Sequence, residues 1–163
     1  MDYFLSLGSN LGSRAKNLAT AVRLLRENGV EVLRASSVYE TEPVDHLDQP
    51  WFLNQALQVR SSLDPYSLLE LAKSIEARMK RVPTMAKGPR TIDIDILFAG
   101  DTVLDTPDLV IPHPRLAQRN FVLVPLCEIA PEIRHPILGR TIRELAPASG
   151  DRARVIAQKR RLS

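Results

Sequence analysis

Residues 92–97, Ile-Asp-Ile-Asp-Ile-Leu, alternate between apolar and acidic side chains, and that alternation restricts what the chain can fold into. Successive side chains point to opposite faces of a strand, so Ile92, Ile94 and Ile96 share one face and Asp93 and Asp95 the other. The isoleucines favour extended backbone and anchor the strand in a core. The fold must therefore hold a sheet with a covered face. The two aspartates project together from this rigid element, with Cα atoms roughly 6.5–7 Å apart. Neighbouring carboxylates repel, so the pair needs a cation, a proton or open solvent. Two Mg²⁺ ions would satisfy it, because hard cations prefer oxygen ligands and two-metal sites space their ions about 3.5–4 Å apart. A half-exposed strand with an acidic outer face fits the alternation equally well. Arg90, just upstream, offers a rigid fork for a phosphate.

The rest of the chain supplies partners for that strand. Tyr3, Leu5 and Leu7 alternate with Phe4 and Ser6 as a first strand, and Gly8-Ser9-Asn10-Leu11-Gly12 follows as a turn. Ser13 is an N-cap candidate for a helix with Leu18, Val22 and Leu25 on one face. Gly29 suits the left-handed position after it. Val30 to about Tyr39 reads as a second strand, residues 41–50 as a long loop and Phe52–Ser61 as a third strand. On the latter, Leu53, Leu57 and Val59 oppose Phe52 and Asn54. Asp64-Pro65 begins a helix carrying Leu68, Ala72, Ile75, Met79 and Val82, ending before Pro83. A short strand is expected over 101–104. Pro112-His113-Pro114 reads as stiff and extended, residues 116–129 as largely helical with a break at Pro125, and 142–145 as a last short helix. The order β-α-β-β-α-β predicts an α+β, ferredoxin-like core: a mainly antiparallel sheet with two helices packed on one face. The C-terminal extension is available for the other face.

At 163 residues the chain is expected to form one domain. No apolar run approaches a membrane span, and Met1–Leu5 lacks the basic start of a secretory leader. The single cysteine, Cys127, lies in an apolar stretch and reads as a buried structural thiol. A cytoplasmic monomer is expected. The net charge is +3, but Arg152, Arg154, Lys159, Arg160 and Arg161 supply +5 with no acid among residues 152–163, leaving −2 for the body. The body is not a basic nucleic-acid platform, and residues 152–163 read as a flexible basic tail.

Other constellations are weaker singly. The turn at 8–12 joins a strand to a helix, where backbone N–H groups can receive a ligand. It matches neither the Walker A loop nor the dinucleotide fingerprint, and an ordinary tight turn explains it. Phe52 and Asn54, on one strand face, suit a flat heterocycle, or else form an inner layer under the extension. Glu76 and Lys80 have the spacing of a solvated helix ion pair. His113 is held between prolines, as a phosphate donor or a surface histidine. Arg119-Asn120-Phe121 puts a cation beside an aromatic. His46, His135 and Cys127 show no zinc spacing. Jointly, acidic pair, arginines, histidine and aromatics imply a phosphoryl-type transfer between a nucleotide and a flat polar ring.

These segments, together with Ser37-Val38-Tyr39-Glu40-Thr41-Glu42-Pro43, Gly88-Pro89-Arg90-Thr91 and Ile111-Pro112-His113-Pro114, occur in an order that resembles the 6-hydroxymethyl-7,8-dihydropterin pyrophosphokinases of folate biosynthesis. The resemblance spans residues 3 to about 145. It implies transfer of the β,γ-pyrophosphoryl group of ATP to the pterin's hydroxymethyl oxygen, with two Mg²⁺ ions held by Asp93 and Asp95. It further implies Phe52 and Phe121 as the aromatics enclosing the pterin, with Gly8, Thr41, Pro43, the Val44 backbone and Asn54 around its edge. Arg90, His113 and Arg119 match phosphate contacts. Glu76 matches a nucleotide contact, Lys73 stands where relatives have a glutamine contact, and the Ile96 backbone meets the adenine. The catalytic set is then Arg81, Arg90, Asp93 and Asp95.

One segment departs from the family pattern. Residues 80–87, Lys-Arg-Val-Pro-Thr-Met-Ala-Lys, replace a loop that usually reads Gly-Arg-x-Arg and ends in Arg-Trp. Arg81 matches the first arginine, Pro83 replaces the second and Lys87 the tryptophan. An ammonium does not reproduce a guanidinium fork, and lid closure completes the charge clamp in enzymes of this kind. Two competing readings follow: a non-catalytic pterin or nucleotide-binding module with an impaired lid, and an RNA-binding ferredoxin-like domain, which would need a basic, exposed sheet face.

Overall fold

The computed structural model describes residues 1–43, 48–80 and 90–158. Its main sheet is built around β1 (Asp2–Ser9), which pairs antiparallel with β4 (Phe52–Arg60) on one side and β5 (Asp93–Ala99) on the other. Beyond β4 lie β2 (Glu31–Ala35) and β3 (Tyr39–Thr41), both paired to it, and β8 (Val155–Ala157) pairs with β3 at the edge. Helices α1 (Arg14–Glu27) and α2 (Pro65–Met79) follow β1 and β4, as the ferredoxin-like order requires. The small strands β6 (Leu104–Asp105) and β7 (Val110–Ile111) form a separate pair. After them come a 3-10 turn (Leu116–Gln118), α3 (Asn120–Ile129) and α4 (Ile142–Leu145). The fold is α+β. Among the described residues no helix is long and apolar enough to cross a membrane.

Two apolar cores lie on opposite faces of the sheet. Tyr3, Leu5 and Leu7 join Leu53, Leu57, Ile94 and Ile96 beneath Leu18, Leu25, Leu68 and Ile75 of α1 and α2. On the other face Phe4, Ala56, Leu97 and Phe98 pack against Val122, Leu123 and Leu126 of α3 and Ile142 and Leu145 of α4. The extension thus covers the second face, and the RNA-binding reading loses the open sheet face that it needs. A bulge sets where this second core begins. The β1–β5 register steps from Leu5↔Ile96 to Phe4↔Phe98, so β5 inserts one extra residue, and both Leu97 and Phe98 enter the second core.

Several local expectations are met. Asp64 caps α2 by accepting the Ser67 N–H at 2.8 Å, with Pro65 opening the helix. Gly29 takes φ +84° after α1. Thr141 and Glu144 close a capping box on α4. Others need correction. Residues 30–39 do not form one strand. Ser36 interrupts it: its N–H donates to the Ala56 carbonyl and its Oγ accepts the Ala56 N–H, which separates β2 from β3. Ser13 precedes α1 but makes no side-chain cap, and Asn17 instead bonds back to the Leu11 carbonyl. The extra strand lies at 104–105 rather than over 101–104. Cys127 is half-buried, not buried.

Helix α3 runs through Pro125 without a break. An interior proline costs about 3 kcal/mol or more. Burial of Val122, Leu123, Leu126 and Ile129 offsets it, since each fully buried aliphatic side chain contributes about 1.5–3 kcal/mol. Residues 152–158, read as the start of a mobile tail, contain the edge strand β8. Residues 44–47, 81–89 and 159–163 lie outside the described residues, among them Val44, Arg81, Val82, Pro83 and Lys87.

Candidate active site

The second sheet face is apolar at one end and polar at the other. Past the limit of the second core, β1 presents Ser6 and Gly8, β4 presents Phe52 and Asn54, and β5 presents Asp93 and Asp95. The register sets Ser6 beside Asp95, and Gly8 between Asp93 and Asn54. These residues floor a cavity of about 240 Å³, walled by Thr41, Glu42, Pro43 and Gln49 on one side and by Arg119 and Phe121 on the other. Arg90 also lines it. The cavity therefore brings together the residues that the resemblance places around a pterin, Val44 excepted.

Its floor is held by polar contacts. Thr41 Oγ1 donates to Asn54 Oδ1, while Asn54 Nδ2 donates to the Leu7 carbonyl at 3.3 Å. Both Thr41 and Asn54 are buried. The turn at 8–12 serves the site through Asn10. The Asn10 carboxamide accepts the Arg90 N–H at 2.7 Å and donates to Gln49 at 2.7 Å and to the Pro50 carbonyl at 2.9 Å. One buried amide thereby ties the first turn to the segments before β4 and β5. Arg90 then reaches Asp93, Nη1 to Oδ1, at 3.1 Å. Arg119, in the position before α3, lies with its guanidinium 5.4 Å from the Phe121 ring centroid.

A second, more open cavity of about 250 Å³ meets the first at Asp95. Lys73 and Glu76 of α2 line it, with Ile96, His113 and the chain around β7. These are the remaining nucleotide candidates apart from Arg81. Glu76 forms no ion pair with Lys80 among the described residues. It accepts the Ile94 N–H at 2.7 Å, capping the free edge of β5 between the two aspartates. His113 Nδ1 accepts the Arg115 N–H at 3.2 Å, which leaves Nε2 to carry the proton of the neutral ring. Burial, with Arg119 and Arg115 nearby, pushes the His113 pKa down to about 4.

The electrostatics mark this junction. Burial raises the pKa of Asp93 against the opposing pull of Arg90, and that of Asp95 against the pull of Arg119, Lys73 and Arg90. Burial likewise raises Glu76, although the Ile94 N–H opposes the shift. Three desolvated carboxyls within one site form a strong demand for positive charge. Sequence reasoning did not single out Ser6, Asn10, Glu42 or Gln49. Short polar residues in a turn or on an inner strand face carry no distinguishing pattern until the register is known.

Comparison with known proteins supplies the family and the fold. The sequence matches the family described as 7,8-dihydro-6-hydroxymethylpterin-pyrophosphokinase over residues 4–131. The 2-amino-4-hydroxy-6-hydroxymethyldihydropteridine pyrophosphokinase of Bacillus subtilis is 44% identical over 131 residues, covering 80% of this chain and 78% of that protein. Its namesake from Methylorubrum extorquens is 45% identical over 142 residues, covering 86% and 89%. The folic acid synthesis protein fol1 of Pneumocystis carinii is 42% identical over 139 residues, but this chain spans only 19% of its length. A crystal structure of wild-type Plasmodium falciparum HPPK-DHPS shares the fold, with TM-score 0.70 and 20% identity over 90% of this chain and 44% of that one. With a family match over residues 4–131 and relatives at 44% and 45% identity, in a chain whose sheet presents Asp93 and Asp95 to one cavity, the chain belongs to the 7,8-dihydro-6-hydroxymethylpterin-pyrophosphokinase family.

Proposed function

We propose that this chain transfers the β,γ-pyrophosphoryl group of ATP to the hydroxymethyl oxygen of 6-hydroxymethyl-7,8-dihydropterin, giving the pterin diphosphate and AMP in folate biosynthesis. The observation that carries the reading is the meeting of two cavities at Asp95. One is aromatic and edged with amide and hydroxyl groups. The other is open and lined with Lys73 and His113. We take a monomeric cytoplasmic enzyme as the working unit.

The site residues fit Mg²⁺. Asp93 and Asp95 offer hard oxygen donors, and among the described residues no group of three or more His, Cys, Asp or Glu forms a complete protein cage. Mg²⁺ keeps waters and substrate phosphates among its ligands, so two carboxylates suffice. Bound there, as two ions in our reading, it supplies charge neutralisation for the phosphate oxygens and acidity for the attacking hydroxyl.

The chain's own residues do the positioning. Phe52 and Phe121 hold the pterin ring between them, and Thr41 and Asn54, with Gly8, Pro43 and the Val44 backbone, define its edge. Arg90 and Arg119 neutralise phosphate charge, joined by Arg81. His113 donates through Nε2–H, and Lys73 adds charge beside the nucleotide. The Ile96 backbone meets the adenine. Glu76 acts here through Ile94, holding the strand that carries both aspartates. Pyrophosphoryl transfer asks a protein mainly for alignment and fixed charge, and no dedicated base is required.

Calorimetric titration of the pterin into protein saturated with a non-hydrolysable ATP analogue and Mg²⁺ tests the two-cavity reading. Formation of a ternary complex is expected. Mutual exclusion of the two ligands would overturn it.

A further inference from the structure

Residues 149–157 join the two walls of the aromatic cavity. At one end they hold the start of α3. Asp151 Oδ2 accepts the Asn120 N–H at 2.8 Å, Asn120 Nδ2 donates to the Asp151 carbonyl at 3.0 Å, and Ser149 Oγ donates to Asn120 Oδ1 at 2.6 Å. Arg119, the residue before α3, makes no capping bond with its own side chain. Asp151 therefore caps this helix from 31 residues away, placing an anion against the unsatisfied N–H groups and the positive end of the helix dipole. The capped turn carries Arg119 and Phe121.

At its other end the segment holds the opposite wall. The Arg154 N–H donates to Glu42 Oε1 at 2.9 Å, and the Glu42 N–H donates to the Arg154 carbonyl at 2.9 Å. The Arg154 guanidinium lies 5.0 Å from the Trp51 ring centroid. Val155 pairs with Thr41, extending the ladder along β3. Thr41 donates to Asn54, and Trp51 precedes Phe52. One segment thus fixes both sides of the gap between Phe52 and Phe121. None of residues 149–157 lines the second cavity.

We infer that residues 149–157 form a positioning strap that sets the spacing of the two aromatic walls, and so the affinity for the flat heterocyclic substrate, through Asp151 at α3 and Arg154 at Glu42 and Trp51. The inference rests on the functional reading above in taking that substrate to be the pterin. The exposed Arg154–Glu42 ion pair is a minor part of it, since such pairs contribute little. The helix cap and the backbone pairing hold the geometry.

The test uses the full chain with Asp151→Ala, Arg154→Ala and the conservative Asp151→Asn, whose amide oxygen still accepts a hydrogen bond. Asp151→Ala is expected to raise KM for the pterin about fivefold or more, with smaller changes in kcat and KM for ATP, and Arg154→Ala, which leaves the backbone bonds to Glu42 in place, to raise the pterin KM only about twofold. Asp151→Asn is expected to recover most of the loss. An unchanged pterin KM in Asp151→Ala would overturn the inference. So would a parallel rise in both KM values accompanied by a lower Tm, which marks a purely structural segment. Calorimetric pterin binding to the same variants reads the strap without turnover. An inactive parent chain that binds pterin in an Asp151-dependent way would refute the enzyme reading and leave the strap standing.

Discussion

Gly8 leaves the room that the Asn54 amide occupies: a Cβ on Gly8 would lie 2.7 Å from Asn54 Nδ2. The two residues face each other across the β1–β4 register. Any side chain at position 8 must therefore displace the amide that the Thr41 hydroxyl orients. Gly8→Ala is expected to lower stability by about 1–3 kcal/mol, as over-packing does, and to raise KM for the pterin more than KM for ATP. Urea denaturation and steady-state kinetics check both parts. A pterin KM equal to the parent's would show that the Asn54 amide does not position the substrate.

Glu76 separates a charge role from a strand-capping role. Its carboxylate accepts the Ile94 N–H at the free edge of β5. Glu76→Gln keeps an acceptor and removes a half-buried, desolvated charge, so it should keep the fold at or above parental stability. Glu76→Ala leaves that N–H without its partner, at a cost of about 1–3 kcal/mol, and loosens the strand holding both aspartates. The expected result is a clear drop in Tm and kcat for the alanine variant only. Equal loss of activity in both variants would instead assign Glu76 a direct charge contact with substrate.

Much of this arrangement is legible in the sequence, and the misses share a cause. The acidic strand declares itself because period-two alternation is local. The Asp64-Pro65 and Gly29 helix boundaries do so because caps depend on adjacent residues. The break between β2 and β3 does not, since Ser36 bonds to Ala56, twenty residues on. Glu76 pairs with a strand 18 residues away instead of with the lysine four residues on. Pro125 carries a strong local stop signal that the burial of α3 outweighs. Strand β8 hides within a segment whose composition suggests a solvated tail, because its partner β3 lies more than a hundred residues earlier. The cavity residues resembling the family's motifs could be named in advance, but their supports, Asn10 above all, follow only from tertiary contacts.

Tyr39 gives a pH signature. Its hydroxyl donates to Glu128 at 2.6 Å, tying β3 to α3 behind the site. Burial, and then the Glu128 carboxylate, push its pKa up to about 12 from the ordinary value near 10. A phenol whose folded pKa is raised contributes stability that is fully present below pH 10 and is lost as the pH climbs through about 12. The stability difference between the parent and Tyr39→Phe should therefore shrink across this window. Urea midpoints at pH 8, 10 and 11.5 would reveal it, and a constant difference would contradict the Tyr39–Glu128 tie.

Asp95 lines both cavities, so its loss should affect chemistry more than folding. Asp95→Asn removes a half-buried, desolvated charge and keeps the side chain's shape. The variant is expected to retain or exceed the parental Tm while kcat falls at least about a hundredfold. The dependence of turnover on Mg²⁺ concentration should weaken with it. Near-normal turnover with an unaltered Mg²⁺ profile would remove Asp95 from the metal site.

Nucleotide product analysis after incubation with ATP, Mg²⁺ and 6-hydroxymethyl-7,8-dihydropterin tests the central claim most directly. AMP that forms only in the presence of the pterin, together with an equal amount of pterin diphosphate, is the predicted result. ADP as the product would contradict pyrophosphoryl transfer. No product from a chain that still binds both ligands would make it a binding module instead, with the altered segment 80–87 as the departure from its family.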